Sequence, residues 1–423
     1  MNDSKLNLNF YKGILIWLIA TSFYLYENLL QVSQSAIVPE LMRDFKLNAH
    51  EISVSLGSVF LITYSCCQFP VGILLDRFST RYILPIAATI TASSCWLYAN
   101  SGSLELAILS RALMGIGSAF AALSCLKLAA SWFEHKQFAF LTGLMLSIGL
   151  SGSILGEGSL LRLCQNQGWR YALELISYSG FFVVLMIIIF VRDGKKITKI
   201  DKNSNRSIKD DLCLLLSEKK VWIVALYGML MFTPFLVLSN LWGPTFIATI
   251  YNLDRSIATQ IFELLFYGFI IGAPFFGWLS DYISLRKLPL IIASCGACIS
   301  ITMLLYLNIN SLIYIRLLVF LLGLFTSGFL PAFSIMKEIN KPKVTSAALG
   351  FMNTLNSLGA PIFLALIGYI IDILWSGEMA NGIRIYSSDN FKTAFSLLPI
   401  LYIFAIMAIY SIPETNCTAI EGG

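Results

Sequence analysis

The chain has 423 residues, 57% of them hydrophobic and only 13% charged, against about 25% charged in ordinary soluble domains. That balance excludes a soluble globular enzyme, and a net charge of +5 is too small and too dispersed to point to nucleic acid. The nine cysteines fall mostly inside apolar runs without metal-ligand spacing, so they read as small packing residues.

Apolar runs of spanning length follow one another along the chain. They predict helices over 11–38, 52–75, 82–99, 104–132, 138–161 and 171–191, then 221–250, 256–280, 288–308, 312–336, 344–372 and 393–412. The first run is too long for a signal-peptide core and lacks a small-residue cleavage pattern, so it is expected to remain as a span. Several runs exceed 20 residues, which predicts tilted or kinked helices. The expected fold is an all-α membrane protein of twelve transmembrane helices in two six-helix bundles, 1–191 and 221–415. Residues 192–220 form a polar linker, flexible over Asp201–Arg206. From Ser207 to Leu212 it opens either a short amphipathic surface helix or a plain tether. Residues 416–423 read as a tail, in part vector-derived.

Orientation follows from alternate loops. With the N-terminus inside, one set of loops carries nineteen Lys and Arg and the other seven, which places both termini in the cytoplasm and the spans in a bacterial inner membrane.

The halves repeat at one offset. Gly72, Asp76 and Arg81 recur 205 residues later as Gly277, Asp281 and Arg286. Arg111 maps onto Arg316, and Pro39 onto Pro244. Two parallel halves with a site between them is a known transporter design.

At these residues the sequence resembles the major facilitator superfamily. The family's loop signature after the second helix, G-x-x-x-D-R-x-G-R-R/K, stands here as Gly72, Asp76, Arg77 and Arg81, with Ser79 and Thr80 replacing Gly and Arg. The second copy has Gly277, Asp281, Arg286 and Lys287. The fourth-helix pattern R-x-x-x-G-x-G is intact as Arg111, Gly115 and Gly117, and Gly168-Trp169-Arg170 precedes the sixth helix. The loop residues are expected to gate by pairing charges across helix ends, the glycine permitting close approach. Topogenic charge is the plainer reading. The drug-antiporter pattern of the fifth helix is incomplete: Gly143, Gly152 and Gly156 match, but Glu157 replaces a proline.

No nucleophilic triad, metal cluster or nucleotide loop stands out, so the expected energy source is a gradient, with no cofactor. Both histidines, His50 and His135, fall in expected loops. Ionisable residues inside spans are then the candidates. Glu27 shares a helix face with Tyr24, Asn28, Gln31 and Ser35. A carboxyl there can exchange a proton as its exposure changes, or it can form a structural ion pair. Arg111, at similar depth, is its expected partner or an anion clamp. Gln260, Glu263 and Tyr267 share a face of the eighth helix, Asn353 and Asn356 one of the eleventh, and Asn240 and Trp242 lie in the seventh. Glu263, Tyr267, Asn353, Asn356, Asn240 and Trp242 are the expected solute contacts, with a gate or a merely wetted position as the alternative for Glu263 and interhelical hydrogen bonding as the alternative for the asparagines. Glu157, Glu174, Lys127 and Asp372 read as interfacial.

The run Tyr24 to Ser33, continuing to Pro39 and Phe45, is similar to carriers of intracellular bacteria that import amino acids or nucleosides. The resemblance implies proton-coupled uptake of a small polar, amino-acid-like metabolite by a monomer in the bilayer. The competing readings are an exporter of a siderophore-like organic acid or a drug, and a membrane receptor that transports nothing.

Overall fold

The apolar runs fold into helices with almost nothing else. The computed structural model describes residues 2–133, 135–194, 217–307, 311–340, 345–380 and 383–416. In chain order the helices are α1 (Asn2–Val32), α2 (Val38–Phe45), α3 (Ala49–Ile52), α4 (Ser58–Arg77), α5 (Thr80–Ala99), α6 (Leu104–Ser118), α7 (Phe120–Trp132), α8 (His135–Ile154), α9 (Leu160–Gln167) and α10 (Trp169–Phe190). The second half holds α11 (Lys219–Val237), α12 (Gly243–Tyr251), α13 (Arg255–Ile283), α14 (Lys287–Tyr306), α15 (Leu312–Thr326), α16 (Pro331–Glu338), α17 (Thr345–Ile373), α18 (Ser388–Phe395) and α19 (Leu397–Ser411). Among the described residues the only β structure is a hairpin, β1 (Met379–Ala380) with β2 (Ile383–Arg384).

Eleven helices, some built from consecutive pieces, are long and apolar enough to cross a membrane among the described residues. The expected second span is helical from α3 through α4, although it is not one of the eleven. The chain is therefore a multi-pass membrane protein. At about 1.5 Å per residue, the 29-residue helices α13 and α17 are longer than the hydrocarbon core is thick. The expected linker helix at Ser207–Leu212 lies outside the described residues.

The breaks within spans have local causes. Pro39 and Pro244 lie in the first turns of α2 and α12, where a missing N–H is tolerated because first-turn donors have no helical acceptor. Each short helix ends on a left-handed residue, Lys46 (φ 55°) and Asn252 (φ 48°), so the repeated proline marks the same bend in both halves. One-turn π-helical insertions join α3 to α4 (Ser53–Gly57), α8 to α9 (Leu155–Ser159) and α11 to α12 (Leu238–Trp242).

The helices cluster into two compact units, one of Met1–Ser33 with Ile62–Ser204 and one of Gln34–Leu61 with Asn205–Gly423. In the first, α1 packs on α8 and α7, and α5 on α10 and α6. In the second, α11 packs on α17 and α19, α13 on α15, and α3 on α17. Residues 34–61 thus leave the bundle that contains the rest of their sequence half.

Candidate functional site

In the first unit the polar face of α1 is enclosed. Glu27 is only 1% exposed, and it accepts a hydrogen bond from Asn28 Nδ2 at 2.8 Å. The same Nδ2 donates to the Tyr24 carbonyl at 2.8 Å, which fixes the amide against the helix. Tyr24, Tyr64 of α4 and Cys125 of α7 stand close enough to feel the carboxylate's charge, and Gln68 bonds to the Tyr64 hydroxyl. Space for this cluster comes from Gly149 of α8. A methyl group there would lie 2.3 Å from the Tyr24 ring and 3.1 Å from Asn28 Nδ2. The structure brings Tyr24, Glu27 and Asn28 together, while Gln31 sits a turn further on and is half-buried. Tyr64, Gln68 and Cys125 had no signal in the sequence, since nothing in α4 or α7 states which face meets α1.

Arg111 goes elsewhere. It is 1% exposed, donates from Nη1 to the Leu30 carbonyl at 3.1 Å, and holds its guanidinium 6.0 Å from the Tyr98 ring centre. No ion pair joins it to Glu27. The expected partnership is therefore corrected: Leu30 lies about 4.5 Å further along the helix than Glu27, three residues at the helical rise. Glu157 is a second correction. It is 0% exposed within the π turn that joins α8 to α9, not interfacial. Its neighbour Gly156 abuts the Leu29 carbonyl, so Glu157 and Arg111 both border the same turn of α1.

In the second unit, Asn356 of α17 is 1% exposed and packs against Gly228 of α11, with Asn353 one turn away and half-buried. Asn240 and Trp242 are buried in the π turn after α11. Asn240 Nδ2 donates to the Leu236 carbonyl at 2.7 Å, and Trp242 meets Phe391 edge-on at 5.8 Å. Glu263 and Tyr267 do not join them, because α13 packs chiefly on α15 and Tyr267 is 44% exposed.

The helix ends that carry more Lys and Arg repeat one device. Asp193, just past α10, accepts bonds from the Ser79 hydroxyl and the Thr80 N–H at the start of α5. Glu414, just past α19, accepts the N–H groups of Arg286 (2.8 Å) and Lys287 (2.9 Å) at the start of α14. In each half the chain leaving the sixth helix returns an acid to the positive end of the third. Burial pushes the Glu414 carboxyl upward, but the N–H groups of Arg286, Lys287, Asn416 and Thr415 outweigh it, and the net shift is below the usual carboxylate value.

Of the loop-signature residues, Arg286 is buried and pairs with Asp281 at 2.7 Å and Glu338 at 2.6 Å. Glu338 and Glu414 had not been singled out in the sequence. Arg81 is exposed and lies over Tyr82, while the side chains of Asp76 and Arg77 lie outside the described residues. A methyl group at Gly72 or Gly277 would meet nothing within 4 Å among the described residues, so neither glycine marks a close approach here. Lys127 is not a bystander at the interface. Its ammonium donates to the carbonyls of Leu75 and Phe78, capping the end of α4.

At the opposite ends of the second unit, Asp372 closes α17 and receives the backbone N–H groups of Ala49 (3.2 Å) and His50 (2.7 Å). Tyr386 donates its hydroxyl to Asp372 at 2.5 Å and accepts from Ala49 N–H at 2.9 Å, and Arg384 of β2 lies 3.3 Å away. Burial, then the Asp372 carboxylate, push the Tyr386 phenol well above its ordinary value. Gly368 lets α3 approach, since a methyl there would sit 2.5 Å from the Ala49 carbonyl. Arg255 adds a two-pronged pair to Glu40 at 2.6 and 2.9 Å. His50 is thus in the first turn of a helix rather than a loop, and Asp372 is engaged rather than merely interfacial.

Comparison with known proteins gives this geometry a family. The model of the Major Facilitator Superfamily matches residues 14–363 and 239–416. The chain is 28% identical over 283 residues to the transporter YybO of Bacillus subtilis, covering 61% of this chain and 63% of that protein. It is 23% identical over 390 residues to the membrane sensor protein UhpC of Salmonella typhimurium, covering 87% and 86%. Among solved structures, a D-xylose–proton symporter superposes with TM-score 0.78 at 16% identity over 96% of this chain and 99% of that one. A bacterial homologue of the lysosomal transporter Spinster gives TM-score 0.75 at 15% identity over 95% and 96%. Its two halves, repeated loop signature and family match over most of its length make this chain a member of the Major Facilitator Superfamily.

Proposed function

We propose that the protein is a proton-coupled uptake carrier for a small polar metabolite, working by alternating access in the inner membrane with both termini in the cytoplasm. The observation that carries the reading is Glu27: a carboxyl 1% exposed and served, among the described residues, by one amide hydrogen bond and no cation. Ionisable groups are costly inside a span and are retained where they act. A carboxyl so enclosed can hold a proton while the site is dry and exchange it when water reaches it. Tyr24 and Asn28 supply polar solute contacts beside it, while Asn353 and Asn356 are separate solute-contact candidates within the second unit. Glu157 and Arg111, bordering one turn of α1, act as the separate charged pair that sets that helix's position.

The test is uptake into proteoliposomes under an imposed pH gradient. Glu27→Gln is expected to abolish gradient-driven accumulation while leaving solute counterflow intact. Accumulation that survives Glu27→Gln sinks the coupling assignment. A second reading, a membrane sensor, takes its support from the similarity to UhpC over 87% of the chain. A sensor would bind solute yet catalyse neither accumulation nor counterflow, so the same vesicles separate the two. The export reading predicts accumulation in the opposite orientation.

A further inference from the structure

Beside the Asp372 cluster the second unit holds a cavity of about 190 Å³, smaller than the ~300–1,000 Å³ of drug-sized sites. Its apolar wall comes from Val38, Pro39 and Met42 of α2, Phe391 of α18, and Trp242. Trp242 is 1% exposed, and its indole N–H has no acceptor among the described residues, although a buried indole usually finds one. Arg384 and Tyr386 also line the cavity and join it to the Asp372 cluster. The Tyr386 hydroxyl is committed to Asp372 and Ala49. Arg384 keeps donors in hand. Only its Nη1 bonds to Asp372, at 3.3 Å, and its stacking on Trp375 at 4.3 Å uses the guanidinium face rather than the in-plane N–H groups. Thr245 and Thr249, one turn apart on α12, complete the polar part of the wall. Thr259 and Thr302 each bond back to the carbonyl four residues earlier, whereas neither of these two hydroxyls makes a hydrogen bond among the described residues.

We propose that this cavity binds a small monocarboxylate with a short hydrocarbon tail. The carboxylate takes N–H groups of Arg384 and the threonine hydroxyls, while the tail lies among Val38, Met42 and Phe391. Asp372 is no part of the wall, and its own charge is met by the Ala49 and His50 N–H groups and the Tyr386 hydroxyl, so Arg384 still offers a positive charge. Water would satisfy the donors but gain nothing from an apolar wall of the kind that stays dry. A plain hydrocarbon would fill the wall and leave the donors unmet. An anion with a tail answers both. Because the wall combines α2 with α12, β2 and α18, an occupant adds contacts between residues 34–61 and the rest of the second unit. The site is separate from Glu27, which belongs to the first unit, and it stands or falls independently of proton coupling.

The experiment uses the full chain, otherwise cysteine-free, in phosphatidylcholine nanodiscs, where the added probe is the only carboxylate ligand. The reporter is Ile385→Cys, at a position that lines the cavity and is 42% exposed. Alkylation by a maleimide is timed with and without hexanoate, hexanol or acetate, and protection is the ratio of the two rates. Hexanoate is expected to protect. Hexanol, which keeps the tail, should be about tenfold weaker, the scale of one lost hydrogen bond to a charged group. Acetate, which keeps the charge and loses the tail, should be weaker still. Arg384→Gln is expected to bring hexanoate down to the level of hexanol. Thr245→Val, which leaves the Asp372 contact alone, should weaken it in the same direction. Lys46→Cys, exposed and outside the wall, should show no protection. Equal protection by hexanol makes the cavity a plain apolar pocket and overturns the proposal. So do an absence of protection by hexanoate, protection at Lys46→Cys, or hexanoate protection that survives both Arg384→Gln and Thr245→Val.

Discussion

Replacing Asp372 by asparagine tests the docking of residues 34–61 onto the second unit. In the native chain the carboxylate takes two N–H groups from the first turn of the second span, at 3.2 and 2.7 Å, with Tyr386 and Arg384 alongside. A charge-assisted hydrogen bond is worth about 1 kcal/mol more than a neutral one, so two lose about 2 kcal/mol. The charge itself, at a helix start, adds about 0.3–1 kcal/mol. Asparagine also presents an NH2 group to at least one backbone donor, which prevents full recovery. The sum, about 2–3 kcal/mol, shifts the docking equilibrium about 30- to 150-fold, since each 1.4 kcal/mol is a factor of ten. Spin labels at Lys46→Cys and Leu307→Cys, both exposed, in an otherwise cysteine-free chain report the change as a longer-distance population by pulsed electron resonance. If the distance distribution of folded Asp372→Asn matches that of the parent, this acid does not hold the segment and the reasoning fails.

Other changes sort by what they touch. Gly152→Ala puts a methyl 2.1 Å from the Leu25 carbonyl, a backbone atom that cannot swing aside, whereas at Gly149 the nearest obstacle is the Tyr24 ring. Both are overpacked by about 1–3 kcal/mol, with Gly152→Ala the worse and Gly72→Ala near neutral, as ranked by melting temperature in detergent. Lys127→Met strips the cap from α4 and is expected to cost about 1–2 kcal/mol by the same melt. Glu414 supplies a pH dependence. Its folded value lies below its unfolded one, so its contribution is complete above the ordinary carboxylate range, near 4.3, and fades as pH falls through the depressed value. Glu414→Gln should flatten the acid limb of stability, and the protection of the Arg286 and Lys287 amides, taken relative to the intrinsic exchange rate at each pH, should fall with acid in the parent but not in the variant.

What the sequence made legible follows its periodicities. Apolar runs located every span, and the 205-residue offset paired Pro39 with Pro244 at bends that both occur. Helical spacing alone put Tyr24, Glu27 and Asn28 on one face, and they share one cluster. Periodicity names a face but not what the face meets, which is why Arg111 was matched to Glu27 when it bonds to the Leu30 carbonyl. Glu157 was misjudged in depth: the π turn carries the fifth span on to Gln167, so a residue taken for a helix end is enclosed. Asp372 with His50, and Glu414 with Arg286, pair across 322 and 128 residues of chain. No local pattern announces contacts of that range.

The two halves agree at their caps and bends and differ at the register of Glu27. Both retain a bend at the repeated proline and an acid returned from the sixth helix to cap the third, Asp193 in one and Glu414 in the other. Those features satisfy backbone groups that any such bundle must satisfy, so a duplicated scaffold keeps them. At the point where α1 offers Glu27, α11 offers Phe232. A carboxyl and a phenyl ring stacked on Phe235 and Phe329 cannot serve the same packing purpose, and neither is required to close a helix end. Symmetry in the caps with asymmetry at this one register separates what holds the halves up from what they act on. On the reading proposed above, proton handling falls to α1 through Glu27. Exchanging the pair, Glu27→Phe with Phe232→Glu, would therefore leave the caps and bends intact, yet should abolish gradient-driven accumulation. A double variant that still accumulates solute would show that position along the repeat, and not chemistry, assigns the roles.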